Sequence, residues 1–158
     1  MEFLEKNLEE IIFETSTNDL ALRNLRLYGK RYRQLRIGAY GIADLVTLER
    51  LLDTDDNNQK IIITVYELKK DKINISSLAQ ASRYVKGIQR YFDAKNIFQF
   101  TEIEYKIVLI GKTIETSGDF VFLTDFLNDK IDCYTYDYKF NGINFIHKNN
   151  WFITEEKF

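Results

Sequence analysis

Proline is absent from this 158-residue chain, and cysteine and histidine occur once each. The lack of proline, together with only seven glycines, excludes proline-rich linkers and collagen-like repeats. A single cysteine excludes an internal disulfide framework and a cysteine-based zinc cluster. A single histidine excludes a metal site built from several imidazoles. Metal chemistry in this chain would therefore depend on oxygen ligands.

The chain has the size of one ordinary domain, and its 45% hydrophobic content is enough to bury a sizeable core. We therefore expect residues 1–158 to form a single domain. The first ten residues are acidic and lack the basic and apolar regions of a signal peptide. No apolar run approaches the ~20 residues that span a bilayer. We expect a protein without a membrane partner, located in the cytoplasm, or in the host cytosol if a phage encodes it.

The charges are unevenly distributed along the chain, although the formal net charge is only -2. Residues 1–100 hold 16 basic and 14 acidic side chains, whereas residues 101–158 hold 6 and 10. Basic residues of the first part form a cluster along the chain. A cluster of this kind is either a solvated charged face or a surface that contacts phosphates, and both interpretations stay open. The cluster consists of Arg23, Arg26, Lys30, Arg31, Arg33 and Arg36.

The hydrophobic pattern predicts the order helix, β-hairpin, strand, helix, strand, helix, β-hairpin. This order is typical of a mixed α/β domain with a central sheet flanked by helices. The predicted helices cover residues 2–14, residues from a cap at Asn74 or Ser76 to about Phe92, and 119–127 after a cap at Ser117; residues 19–28 are helix or loop. One predicted strand precedes a turn at 38–41. The other predicted strands cover 42–48, 61–66, 105–110, 131–140 and 143–146.

Two carboxylates and an ammonium group are expected at one edge of this sheet. Asp44 lies within the strand over 42–48, and Glu67 and Lys69 follow the apolar strand over 61–66. Residues two apart on a strand point to the same face, so Glu67 and Lys69 project together. If the two strands pair, Asp44 reaches the same patch. An inward-facing charge at the end of an apolar strand raises the free energy unless it has a function.

This set of groups suits the hydrolysis of a phosphodiester. Carboxylates hold a hard cation such as Mg²⁺ and leave positions open for water and a phosphate oxygen. The cation neutralises charge on the phosphorus and acidifies bound water. Lys69 can orient that water or, with a pKa lowered by desolvation and a nearby metal, deprotonate it. A pair of charges on an exposed strand is the alternative interpretation, because Glu-x-Lys is common by chance.

Four segments together resemble a known enzyme family. They are EKNLE at 5–9, GIADL at 41–45, ELK at 67–69 and QASRY at 80–84. In this order they resemble the core of the PD-(D/E)XK nucleases, and within that superfamily the NucS-like endonuclease branch. The resemblance covers roughly residues 3–92. It implies a restriction-endonuclease-like core and metal-dependent cleavage of DNA that leaves a 5′-phosphate.

The resemblance also implies a role for each matched position. Asp44, Glu67 and the backbone carbonyl of Leu68 would bind Mg²⁺ or Mn²⁺. Lys69 would position the water that attacks, and Gln80 would support the site from its helix. Glu5 would complete the site, and Glu9, one helical turn later on the same face, is the alternative.

The larger NucS-type enzymes carry a separate DNA-binding domain, and we expect none in this chain. Binding to DNA would then fall to basic side chains, a second copy of the chain or another protein. Two of the basic candidates, Lys70 and Lys72, lie just after the Glu-x-Lys segment and are better explained as solvated loop charges than as phosphate contacts. The candidates are Arg31, Arg33, Arg36, Lys70 and Lys72.

Three functions fit these observations. The first is a metal-dependent DNA nuclease, most simply an endonuclease. The second is a catalytically silent domain of the same fold that serves binding or assembly, and the third is a nuclease for RNA or a cyclic nucleotide. A silent domain would tolerate the loss of at least one site residue. We therefore favour the enzyme, because the set formed by Asp44, Glu67, Lys69 and Gln80 is complete.

Overall fold

The computed structural model describes residues 3–52, 59–116 and 118–148, and no helix in these ranges is long and apolar enough to cross a bilayer. Its helices and strands follow the predicted order, with an additional short helix and two additional short strands. The helices are α1 (Glu5–Glu14), α2 (Thr17–Leu22), α3 (Ile75–Lys95) and α4 (Asp119–Phe126), and a 3₁₀ turn, η1, covers Gly38–Tyr40. The strands are β1 (Lys30–Arg36), β2 (Ile42–Leu52), β3 (Gln59–Leu68), β4 (Lys72–Ile73), β5 (Glu102–Gly111), β6 (Thr113–Ile114), β7 (Ile131–Lys139) and β8 (Gly142–His147).

A mixed six-stranded sheet forms the centre of the fold, in the order β1-β2-β3-β5-β7-β8. Strands β1, β2 and β3 are antiparallel neighbours, β3, β5 and β7 are parallel, and β8 is antiparallel to β7. Parallel neighbours need a crossover connection, which α3 provides between β3 and β5 and α4 provides between β5 and β7. The predicted α/β architecture, a central mixed sheet flanked by helices, is confirmed.

Strand β3 is buried on both faces of the sheet. Its side chains Ile61, Ile63 and Val65 belong to the core that includes apolar residues of α3 and α4. Tyr66 and Leu68 belong to the opposite core, which includes apolar residues of α1 and α2. A strand with neighbours on both sides and helices on both faces has no solvent-facing row, and every residue of β3 from Ile63 to Leu68 is buried. The predicted central position of this strand is confirmed.

Helix α3 is placed against the carboxyl end of β3. The predicted cap at Asn74 is confirmed, because its side-chain oxygen accepts the backbone N–H groups of Ser76 at 3.0 Å and Ser77 at 3.3 Å. The helix ends at Asn96, which adopts the left-handed conformation with φ 52°. Because the connection from Leu68 to Ile75 is short, the first turns of α3 lie beside the end of β3.

The structure differs from the sequence prediction in three places. The sequence predicts helix or loop over 19–28, and helix α2 covers only the first part of this stretch, to Leu22. The helix begins at Thr17, before this stretch, because Ser16 Oγ accepts the N–H of Asp19 at 3.2 Å. Strands β4 and β6 form a separate parallel ladder of two residues each, too short to produce a hydrophobic period. Strand β2 extends to Leu52, beyond the predicted end at 48. The predicted cap Ser117 lies outside the described residues.

Gly41 joins η1 to β2 at a point where a side chain does not fit. Its φ is 115° with ψ -157°, a region that is essentially restricted to glycine. A Cβ atom at this position would lie 3.0 Å from a ring carbon of Tyr84 on α3. Tyr84 is 3% exposed and therefore has little room to retreat. The close contact sets the spacing between the start of β2 and the first half of α3.

We expect Gly41→Ala to lower the free energy of unfolding by roughly 2–4 kcal/mol, because backbone strain and the contact with Tyr84 add together. Gly38→Ala is the matched control. Gly38 also has a positive φ, 49°, but nothing lies within 4 Å of the added Cβ, so about 1–2 kcal/mol is expected. Chemical denaturation of both variants measures the difference. Equal destabilisation of the two would contradict the role given to the Tyr84 contact.

Candidate active site

Asp44 and Glu67 meet at the end of the β2–β3 ladder. The pairing of these antiparallel strands ends at Leu45 opposite Tyr66, so Asp44 and Glu67 are the next residue on each strand. A carboxylate oxygen of Asp44 accepts the backbone N–H of Leu68 at 3.2 Å. The expectation that strand pairing brings Asp44 to the Glu67 patch therefore agrees with the geometry.

Glu67 is a buried carboxylate with one unsatisfied oxygen. The residue is 2% exposed, and its Oε1 lies 3.2 Å from Lys69 Nζ. Within the described part of the chain its Oε2 is buried and has no hydrogen-bond partner. Burial, reinforced by the nearby charge of Asp44, raises the pKa of Glu67 to about 7. A buried oxygen in this state is destabilising unless a donor or a cation satisfies it.

Burial also raises the pKa of Asp44, against the opposing effect of the hydrogen bond from Leu68. The carboxylates of Glu9 and Glu5 on α1 raise the pKa of Asp44 further, and Lys69 lowers it. Negative charge is therefore concentrated where the end of the ladder meets α1. Such a concentration is stabilised by a bound cation and destabilised without one.

Lys69 is fixed between β3 and α3. Its Nζ lies 3.2 Å from Glu67 Oε1 and 3.5 Å from Gln80 Oε1, the second at the outer limit of a hydrogen bond. Burial lowers the pKa of Lys69, but the carboxylates of Glu67, Glu5 and Asp44 outweigh that effect, so its pKa is raised above the ordinary value. This direction holds for the protein without a metal ion, and the expected lowering of the pKa by a nearby metal stays a prediction. Lys69 is a cation and a hydrogen-bond donor here.

Gln80 is held by a tyrosine one turn further along α3. Gln80 Nε2 donates to the hydroxyl of Tyr84 at 2.8 Å, which turns Oε1 of the same amide toward Lys69. Tyr84 in turn contacts Gly41 at the start of β2. The sequence interpretation gave Gln80 a role but not the Tyr84 hydroxyl. The i, i+4 spacing of the two residues was the available signal, because such pairs are neighbours on a helix surface.

The two glutamates of α1 have different surroundings. Glu9 is buried, with Oε1 2.6 Å from Arg33 Nε and Oε2 2.7 Å from Gln34 Nε2. Glu5 is exposed and accepts the backbone N–H of Lys70 at 3.2 Å, just beyond the end of β3. Both oxygens of Glu9 thus already have strong donors. Of the two alternatives, the structure favours Glu5 as the α1 carboxylate that is available to the site.

Two of the five proposed DNA-contacting residues have structural partners instead. The Arg31 guanidinium donates to the backbone carbonyls of Ile12, at 3.0 Å, and Phe13, at 2.9 Å, as well as to Thr15 and to the Thr17 hydroxyl. It therefore satisfies carbonyls that the end of α1 leaves without helical partners. Arg33 is paired with Glu9, as described above. These contacts assign both arginines to the attachment of α1 to β1.

The other three candidates lie closer to solvent or to the site. Arg36 and Lys72 are exposed. Lys70 is half-buried, and its backbone is held on both sides of the residue, by Glu5 at the N–H and by the Tyr136 hydroxyl, which donates to its carbonyl at 2.5 Å. The Tyr136 contact anchors the segment that follows β3, and the sequence pattern gave no signal for it.

The donor set at the ladder end is chemically suited to a hard divalent cation. Asp44 and Glu67 supply carboxylates, and one buried Glu67 oxygen has no partner in the described residues. Leu68, whose carbonyl would be a further ligand, lies directly between Glu67 and Lys69. Among residues 3–52, 59–116 and 118–148, no group of three or more His, Cys, Asp or Glu side chains is arranged to hold a metal ion. Any cation would therefore be held by two carboxylates together with carbonyl, water or substrate oxygens.

Comparisons with models of protein families, with curated protein sequences and with solved structures gave no match. The interpretation of the site consequently depends on the residues and their geometry.

The raised pKa of Glu67 predicts how stability changes with pH in metal-free protein. Between the ordinary value of 4.5 and about 7, folded Glu67 keeps a proton that the unfolded chain has lost, so its contribution to stability falls as pH rises through this interval. Glu67→Gln removes this titration. The quantity to measure in EDTA is the free energy of unfolding of the variant minus that of wild type. This difference should rise by about 1–3 kcal/mol when the pH is raised from 4.5 to about 8.

Glu104→Gln is the control for this measurement. Glu104 is on β5, where its hydrogen bond and ion pair with Lys60 lower its pKa. Its substitution should therefore give no gain in stability at the higher pH. A difference between Glu67→Gln and wild type that is the same at both pH values would contradict the raised pKa.

Proposed function

We propose that this chain is a Mg²⁺- or Mn²⁺-dependent nuclease that hydrolyses phosphodiester bonds of DNA, with the endonuclease mode favoured. The observation that carries the proposal is the buried Glu67 carboxylate, whose Oε2 has no partner within the described residues while Asp44 and Lys69 lie beside it. A structural ion pair would satisfy its oxygens, whereas a site that binds a cation and substrate keeps one available.

The arrangement of elements supports the same proposal. Helix α1, the antiparallel strands β1, β2 and β3, the crossover helix α3 and the parallel strand β5 follow one another as expected for a restriction-endonuclease-like core. The matched motif residues occupy four of these elements and the segment that follows β3. Glu5 is on α1, Asp44 is on β2, Glu67 is near the end of β3 and Gln80 is on α3.

In the proposed mechanism Asp44, Glu67 and the Leu68 carbonyl would hold the metal ion. When bound, that ion supplies positive charge to the phosphate and lowers the pKa of a coordinated water. Lys69, whose Nζ lies 3.2 Å from Glu67 Oε1, would donate a hydrogen bond that orients the attacking water. Gln80, fixed by Tyr84, holds the ammonium group in place. Water attacks phosphorus in line and the P–O3′ bond breaks. The proton released by the water goes to solvent, the leaving O3′ takes up a proton from solvent, and a 5′-phosphate and a 3′-hydroxyl remain.

Lys69 Nζ lies 3.2 Å from Glu67 Oε1 and 3.5 Å from Gln80 Oε1, and these contacts hold its ammonium group beside the proposed metal ligands. The carboxylate of Glu5 adds to the negative charge around Lys69 and helps to keep it protonated. Glu9 keeps α1 against β1 through Arg33 and has an indirect part in the site.

We expect purified protein to cleave DNA in Mg²⁺ or Mn²⁺, and Glu67→Ala or Lys69→Ala to reduce the rate by at least about a hundredfold, because each removes a charge that acts on the reacting groups. Single-stranded, duplex and branched DNA, RNA of the same sequence and a cyclic dinucleotide should be assayed in parallel. Calorimetric titration of Mn²⁺ into wild type and Glu67→Ala measures metal binding separately from cleavage.

Glu104→Ala and Lys60→Ala are the matched controls, since they break an ion pair of the same type near the surface of β3 and β5. Both should leave the rate unchanged. Cleavage that survives Glu67→Ala would overturn the proposed site. Absence of both cleavage and Mn²⁺ binding would favour the silent binding or assembly domain, and cleavage of RNA or the cyclic dinucleotide alone would replace DNA as the substrate.

A further inference from the structure

An apolar groove lies between α3 and the segment formed by β1 and η1, and we call it the β1–α3 groove. Its volume is about 800 Å³, within the range of small-ligand and cofactor sites. Aliphatic side chains of β2 and β3 form its inner part. None of the four residues of the proposed catalytic set lines it. Its aromatic lining consists of Tyr32, Tyr40, Tyr91 and Phe92.

Two cationic side chains line this groove, and two more lie on α3, the helix that carries one of them. Arg36, next to η1, and Arg90, on α3, both line it and are exposed. Lys86 and Arg83 precede Arg90 by one and two helical turns and are exposed as well. Among the described residues, none of these four side chains forms an ion pair with a carboxylate. Their charge is therefore available to an external anion.

The groove and the candidate active site share strand β2 and helix α3. Val46 and Leu48 line the groove, and they are two and four residues beyond Asp44 on the same strand. Tyr40 immediately precedes Gly41, which contacts Tyr84, the residue that holds Gln80. Along α3, the distance from the position of Gln80 to that of Arg90 is about 15 Å.

Charge and aromatic surface together indicate the kind of ligand. A groove that needed only to bury an apolar partner would not require four cations along α3 and η1. Aromatic rings stack on nucleobases and cations contact the phosphates between them, which is the combination found where single strands are bound. The base faces of a duplex are already stacked on one another, so an aromatic groove can take a base only from an unpaired segment.

We propose that the β1–α3 groove holds an unpaired base of the DNA strand, with the adjoining phosphates along Arg83, Lys86 and Arg90. The inference rests on the proposed nuclease function and narrows its substrate to single-stranded or branched DNA. It also relocates the nucleic-acid contacts. Of the five candidates from the sequence, Arg36 lines this surface, and the cations of α3 join it.

Binding in EDTA tests the groove without cleavage. Fluorescence anisotropy with a labelled oligothymidine and with a hairpin duplex of equal length should show tighter binding of the single strand by the wild-type chain. Tyr91, which is 53% exposed, can be replaced without opening the core. Tyr91→Ala should weaken single-strand binding by about five- to a hundredfold, and Tyr91→Phe should retain it. Arg90→Ala should reduce the dependence of log K on log salt by about one.

Phe140→Ala is the matched control, because Phe140 is a fully exposed aromatic residue at the β7–β8 turn, on the opposite edge of the sheet. It should bind the single strand like the wild type. Equal affinity of the wild type for duplex and single strand would overturn the proposal, as would unchanged binding by Tyr91→Ala. A third result that would overturn the proposal can come from gel filtration. If the wild type is a dimer and Tyr91→Ala is a monomer, the groove is an interface between two copies of the chain.

The two proposals fail in different ways. Suppose that the wild type cleaves no substrate but prefers the single strand, and that Tyr91→Ala loses this preference. This pair of results would overturn the nuclease and leave the groove as a binding site. Cleavage that depends on Glu67 but is unaffected by Tyr91→Ala, on single-stranded substrate at limiting concentration, would overturn the groove alone.

Discussion

The burial of the Glu67 carboxylate at the end of the central strand is the constraint on which the rest of this structure depends. A charged group is stable there only if opposite charge or hydrogen-bond donors reach it. Lys69 supplies one such contact, at 3.2 Å, while the second oxygen of Glu67 has no partner in the described residues. Asp44 adds negative charge on the neighbouring strand. The two carboxylates are therefore stabilised either by a bound proton or, when one is present, by a bound cation. This is the physical basis of the proposed metal-dependent activity.

The fold holds this unfavourable group by surrounding it with groups that are themselves well fixed. Strand β3 has β2 on one side and β5 on the other, and apolar cores cover both of its faces. From one face, Tyr84 positions Gln80 against Lys69, and Gly41 allows Tyr84 to approach β2. From the other direction, α1 brings Glu5 to the segment after β3. The stability of the two cores therefore offsets the free energy needed to bury the site.

The positive charges near the amino end of the chain have two distinct uses. Arg31 and Arg33 attach α1 to β1 through its carbonyl groups and Glu9. Arg36 and Arg90 remain exposed in the β1–α3 groove, and Arg83 and Lys86 are exposed on the same helix as Arg90. A chain with a net charge of -2 can thus present a local positive surface, because electrostatic attraction depends on the charges nearest to the ligand once salt screens the others.

The sequence by itself determined the mixed α/β architecture, because the β-branched run at 61–66 and the helical stripe of α3 have unambiguous periods. It also determined that Glu67 and Lys69 share a face, because that depends only on the two-residue repeat of a strand. Only the tertiary structure decided which glutamate of α1 bonds to the segment after β3, what Arg31 binds and that the Tyr84 hydroxyl holds Gln80. These outcomes depend on contacts between residues far apart in the chain, and no local pattern records how one helix packs on another. The raised pKa of Lys69 in the metal-free protein is hidden from local pattern for the same reason, since it reflects carboxylates contributed by three separate elements.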